Sequence, residues 1–307
     1  MDKTFSEEKT VSCDFGSCQT GQTATAGTDS SADFLPGREF SGTAGDVQPE
    51  YHGIFDSHAH YDDAKFDGDR DGMIEYVHSC GVTGIVNIGC TYETMKLSET
   101  LAEKYPYVYF SVGLHPSEAD ICGGYEYIER VLTGYLANPK ALAIGEIGLD
   151  YHYETPLPEK QKILFEWQMQ IAAKTGKPVI IHDRDAHGDT MEILRKYKGV
   201  RGVLHSFSGS PEMAEELIKL GYYISFSGVV TFKNAKKLPE VAQAVPADRM
   251  LIETDCPYLA PHPKRGERND SSLLVYVADK LAALRGMSAD EVIRITRENA
   301  EKLFSIV

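Results

Sequence analysis

The feature that most constrains this chain is an eightfold alternation of two kinds of segment between residues 54 and 258. Short apolar runs stand at 54–61 (IFDSHAHY), 83–89 (TGIVNIG), 108–116 (VYFSVGLHP) and 141–150 (ALAIGEIGLD). Four more follow at 178–184 (PVIIHDR), 201–209 (RGVLHSFSG), 222–230 (YYISFSGVV) and 250–258 (MLIETDCPY). Between them lie longer amphipathic stretches such as 91–105, 158–176 and 210–221, the last two closing on Gly176 and Gly221. A closing glycine is how helices commonly end. Near-continuous apolar strands separated by helices predict a parallel sheet covered on both faces. Eight β-then-α repeats predict closure into an α/β (β/α)8 TIM barrel rather than an open sheet.

Residues 1–50 break from this pattern. They are rich in Ser, Thr, Gly and Asp, without hydrophobic periodicity. Such a composition buries too little apolar surface to offset chain entropy, which predicts a disordered or loosely attached extension. The barrel is then expected over 51–307, close to the usual size of such a domain. The N-terminus lacks a basic start and apolar core, no apolar run reaches a membrane span of about 18 residues, and the six cysteines are scattered. These features predict a protein of a reducing compartment, cytoplasmic or nuclear, without a membrane partner. The net charge is −15, of which nine acids and three bases in the first 50 residues supply −6. That balance disfavours a groove coating long duplexes, but not a pocket that grips one phosphate with the help of cations.

Polar residues gather where barrel chemistry sits, at the C-terminal ends of the strands. His58 and His60 close the first run, His115 the third, Glu146 lies in the fourth, His182 in the fifth, His205 in the sixth and Asp255 in the eighth. A lone His-x-His pair settles little, and a single strand-end histidine is by itself more often ordinary hydrogen bonding than metal ligation. Five histidines and two carboxylates on one rim make that reading improbable. Imidazole with carboxylate suits zinc or manganese, with magnesium and other ions as alternatives, and one carboxylate able to bridge suits a site of two divalent ions. Such ions would lower the pKa of a bound water, and Asp255 would be placed to accept its proton. Arg184, Lys264, Arg265 and Arg268 are candidate phosphate contacts, although each is by default a solvated surface charge. No GxGxxG follows the first strand and no Walker motif occurs, so a dinucleotide or P-loop site has no support.

FDSHAH, GLHP, GEIGLDY, IHDRDA, LHSFSG and ETDCPYLAP, in this order, resemble the TatD family of metal-dependent deoxyribonucleases, within the amidohydrolase superfamily. The resemblance runs from about 53 to 305 and leaves the acidic extension outside. It implies that His58, His60 and Asp255 hold a first metal, that Glu146 bridges to a second, and that His182 and His205 complete the second. It also implies catalytic roles for Glu146 and Asp255, and contact of His115, Arg184, Arg265 and Arg268 with the substrate. The implied activity is hydrolysis of DNA phosphodiesters, as a 3′–5′ exonuclease on single-stranded or frayed ends. Alternatives are hydrolysis of a small amide, lactone or ester, or of an aminoacyl-tRNA ester, and a non-catalytic scaffold. The amidohydrolase variant with a carboxylated lysine would need Lys where Glu146 stands.

Overall fold

The computed structural model describes residues 51–120 and 123–306; the expectation for residues 1–50 falls outside them. Eight strands form one sheet in sequence order: β1 (Ile54–Ala59), β2 (Val82–Gly89), β3 (Val108–Val112), β4 (Ala141–Asp150), β5 (Val179–Arg184), β6 (Gly202–Leu204), β7 (Tyr222–Phe226) and β8 (Met250–Ile252). Every neighbouring pair is parallel. The ring closes beyond the formal end of β8. Ala59 bridges to Cys256, the Asp255 amide donates to the His58 carbonyl at 2.9 Å, and the His60 amide donates to the Cys256 carbonyl at 2.8 Å. Barrel closure and the candidate site are therefore built from the same residues.

The helices are α1 (Arg70–Ser79), α2 (Tyr92–Lys104), α3 (Tyr125–Leu136), α4 (Pro158–Thr175), α5 (His187–Lys196), α6 (Pro211–Leu220), α7 (Leu238–Ala244), α8 (Leu274–Arg285) and α9 (Ala289–Phe304). Their ends follow local chemistry. Thr91 and Thr94 form a reciprocal cap on α2, Ser210 caps α6, and Gly176 and Gly221 adopt the left-handed conformation after α4 and α6.

One buried cluster takes Phe55, Val86, Leu142, Ile180, Val203, Tyr223 and Leu251 from seven strands, with Tyr109 of β3 packed against it. Leu303 and Phe304 of α9 belong to it as well. A cluster fed by all eight strands is the barrel interior, and α9 plugs its lower end. Because strand side chains alternate, counting in twos from these residues leads to the mouth: Ile180 to His182, Val203 to His205, and Leu251 through Glu253 to Asp255. In β1 and β4 the count is broken by register shifts, between Asp56 and Ala59 and between Ile144 and Ile147.

Four strands end at least four residues before the sequence pattern predicts. The third, sixth, seventh and eighth runs were expected to reach residues 116, 209, 230 and 258, but the regular strands end at Val112, Leu204, Phe226 and Ile252. The chain turns outward at the mouth instead. Ser206 and Asp255 take left-handed φ values of 39° and 58°, and His115 leads into the short 3-10 turn Pro116–Glu118. His115, His205 and Asp255 thus stand just past strand ends.

Candidate metal centre

Glu146 lies at the centre of the mouth, buried, with its two oxygens facing different partners. Oε1 is 2.6 Å from His182 Nδ1 and 2.7 Å from His205 Nε2. Oε2 is 3.6 Å from His58 Nε2 and 3.9 Å from His60 Nε2. Asp255 Oδ1 approaches those same two nitrogens, at 3.5 Å each. The rings of His58 and His205 stack at 4.1 Å between centroids, which joins the two halves.

Glycine makes this approach feasible. Gly148, at φ +145°, passes so close to β5 that a Cβ there would stand 2.0 Å from the His182 carbonyl oxygen. A side chain at this position would force β4 and β5 apart opposite His182.

Within each half, ring nitrogens face one another: His58 Nε2 and His60 Nε2 at 3.1 Å, His182 Nδ1 and His205 Nε2 at 3.0 Å. Lone pairs at such distances repel unless a proton or a cation stands between them. The donor set of imidazole nitrogen and carboxylate oxygen is the one divalent transition ions take. His58, His60 and Asp255 each offer an atom within 4.8 Å of the other two, and so do His58, Glu146 and His205. The residues present fit a metal centre.

In the metal-free chain, protons take that place. Burial opposes charge on every one of these groups. Even so, the imidazoles of His205 and His182 hold the Glu146 carboxyl well below the usual range, and Glu146 in turn holds His205 well above and His182 above theirs. For His60 burial is overcome by Asp255 and Asp62, which lift it to about 9. Burial wins at His58, which falls well below its ordinary value.

Two carboxylates that the sequence reading did not single out stand behind the second pair. Asp150 Oδ2 lies 3.2 Å from His182 Nε2, and Glu253 Oε1 lies 3.3 Å from His205 Nδ1 while accepting the Ser206 amide at 2.6 Å. Both continue inward-facing rows, in GEIGLD two positions after Gly148 and in ETD two before Asp255; that spacing was the available signal. A third group of donors, His115 with Asp150 and His182, lies beside them. His115 accepts from the Ser117 amide at 3.2 Å, and burial pushes it down to about 4, so the ring is neutral at physiological pH.

The arginines part company. Arg184 stands at the mouth over the ring of Tyr153, 5.6 Å from its centroid. Arg268 is directed elsewhere: both its terminal nitrogens pair with the carboxylate of Asp69, one also reaches the Lys65 carbonyl at 2.8 Å, and the group lies over Phe66. Arg265 covers the ring of Phe232.

Residues 55–305 match the family model described as TatD related DNase. The chain belongs to the TatD family. Among TatD relatives, a Bacillus subtilis protein named uncharacterized metal-dependent hydrolase YabD is 42% identical over 258 residues, covering 82% of this chain and 99% of that one. The Citrobacter rodentium 3′-5′ ssDNA/RNA exonuclease TatD is 31% identical over 263 residues, 82% of this chain and 98% of its own. Among solved structures, the TatD homolog YJJV of Escherichia coli K12 superposes with a TM-score of 0.77 at 31% identity, covering 83% and 98% of the two chains. The chain is thus a metal-dependent hydrolase of TatD type on a (β/α)8 barrel. Among the described residues, no helix is long and apolar enough to cross a membrane.

Proposed function

We propose that this protein is a two-metal phosphodiesterase that trims single-stranded or frayed DNA from the 3′ end, in the cytoplasm. The observation that carries the proposal is the division of Glu146: one oxygen faces His182 and His205, the other faces His58 and His60. On this reading His58, His60 and Asp255 hold one divalent ion, His182 and His205 hold the second, and Glu146 bridges. Zinc and manganese suit this imidazole-rich donor set, with magnesium the alternative. Bound there, such ions supply an acidified water and a polarised phosphoryl group.

The remaining chemistry belongs to the chain. Asp255, at the open edge of the first trio, accepts the proton of the attacking water. His115, neutral and beside His182, donates a hydrogen bond to a phosphate oxygen, and Arg184 adds a full charge at the mouth. A chain of net charge −15 has no long basic track for a duplex, which favours a strand end entering the mouth over a duplex lying across it. The name of the Citrobacter relative, an exonuclease on ssDNA and RNA, supports the same substrate class.

The test is turnover by metal-loaded protein of 3′-labelled single strands and duplexes, set beside small amides, lactones and aminoacyl esters. Stepwise shortening of single strands, abolished in Glu146→Ala, is the expected result. Faster turnover of an amide or ester than of any strand would replace this reading with an amidohydrolase or esterase one.

A further inference from the structure

The segment leaving β4 carries an exposed aromatic surface that the metal chemistry does not use. Tyr153 is 63% exposed, and Leu157 in the same segment is 54% exposed. An isolated exposed side chain is ordinary, but Tyr153 is not loosely placed. The Tyr151 amide donates to the Arg184 carbonyl at 2.9 Å, continuing the β4–β5 ladder past the barrel rim. The His152 amide donates to Asp150 Oδ1 at 2.9 Å, while the other oxygen of that carboxylate faces His182. One carboxylate therefore connects the start of this segment to the metal centre. His152 meets the Tyr153 ring edge-on, 5.0 Å between centroids at 86°, and its Nδ1 lies 3.5 Å from Asp185. Arg184 lies over the ring. Along β5, Arg184 follows His182 by two residues, roughly 7 Å further out on the same side of the strand.

We propose that Tyr153, backed by Arg184, is a nucleobase-stacking subsite at the mouth of the metal centre, on which a base of the single strand rests while its phosphate enters. The proposal rests on the nuclease reading above and adds to it the means of recognition. An aromatic face takes any base without reading its edge, which is how proteins hold single strands without sequence preference. An arginine on one side of the ring strengthens the stack and sets a positive charge within reach of the sugar–phosphate backbone. A duplex end keeps its bases stacked on each other, so this surface favours frayed and single-stranded ends.

The experiment uses the metal-loaded full chain and a 3′-labelled oligonucleotide in which each of the last three nucleotides is replaced in turn by an abasic one. Wild type should lose roughly tenfold in kcat/KM, mostly through KM, when one particular base is missing, the scale of a single base–aromatic stack. Tyr153→Ala should level that profile, cleaving intact and abasic strands within about twofold of each other, and Tyr153→Trp should restore the difference. A profile in Tyr153→Ala as steep as in wild type overturns the subsite, as does a flat wild-type profile with all strands cleaved. Wild type that cleaves no strand at all overturns the nuclease reading, and the subsite with it. Because Tyr153 is mostly exposed, its truncation leaves the core intact, and melting curves of the three proteins verify this.

Discussion

The carboxylate of Asp150 stands 3.2 Å from Nε2 of His182, on the side of the ring that does not face Glu146. A carboxylate behind a ligating imidazole fixes its orientation and raises its basicity, and losing it typically costs about 10- to 100-fold in metal affinity. Asp150→Asn should therefore weaken binding of one ion by that factor and leave the other nearly unaffected. Competition with a chelator of known affinity reads both. Equal weakening of the two ions would show that Asp150 acts on the whole mouth rather than through His182.

Glu146 and His182 separate bridging from single ligation. Glu146→Ala should retain under about one equivalent of metal and no measurable phosphodiester cleavage, whereas His182→Ala should retain about one equivalent. Elemental analysis of both proteins, purified under metal-replete conditions, decides. Two full equivalents in Glu146→Ala would defeat the bridging assignment.

Metal loading should release protons. Without metal, His60 is lifted to about 9 and His205 is held well above its ordinary value, so near neutral pH these two rings hold protons that an ion must displace, and His182, also raised, keeps its proton to higher pH than an ordinary imidazole. Raised values mean that competition is strongest at low pH and fades as pH climbs through about 9 for His60. Apparent affinity should rise steadily with pH across that span, and an indicator titration in weak buffer should detect more than one proton per chain. Proton-neutral loading at pH 7 would mean that other groups hold the ions.

Gly148→Ala tests the packing behind the centre. The new Cβ would meet the His182 carbonyl at 2.0 Å in a backbone region that L residues rarely occupy. A loss on the order of 3 kcal/mol is expected, seen as a lowered urea midpoint. A midpoint equal to wild type would show that β4 and β5 separate easily.

Much of this architecture was legible in the sequence because barrel strands are buried on both faces. The runs containing ALAIGEIGLD and PVIIHDR stand out for that reason, and β4 and β5 match them closely. Strand ends were harder to read. After Leu204 and Ile252 come HSFSG and ETDCPY, in which Ser206 and Asp255 take left-handed conformations that no periodicity reveals. The ligand candidates were visible as histidines and acids at run ends, and the structure gathers His58, His60, Glu146, His182, His205 and Asp255 into one cluster. Asp150 and Glu253 escaped notice because a carboxylate inside GLD or ETD reads as a turn or cap residue. Only the inward parity of their strands distinguishes them. Arg268 was legible as a cation but not as the partner of Asp69, since that pairing spans 199 residues of sequence.

The seam between the first strand and the last has a consequence for how the protein is made. His58 and His60 leave the ribosome early, but the amides and carbonyls that lock them in place belong to Asp255 and Cys256, near the other end of the chain. Contacts of such long sequence separation form late. A nascent chain halted before Met250 holds its histidines without the strand that closes the ring around them. The trio of His58, His60 and Asp255 is therefore complete only once the last strand has joined the first.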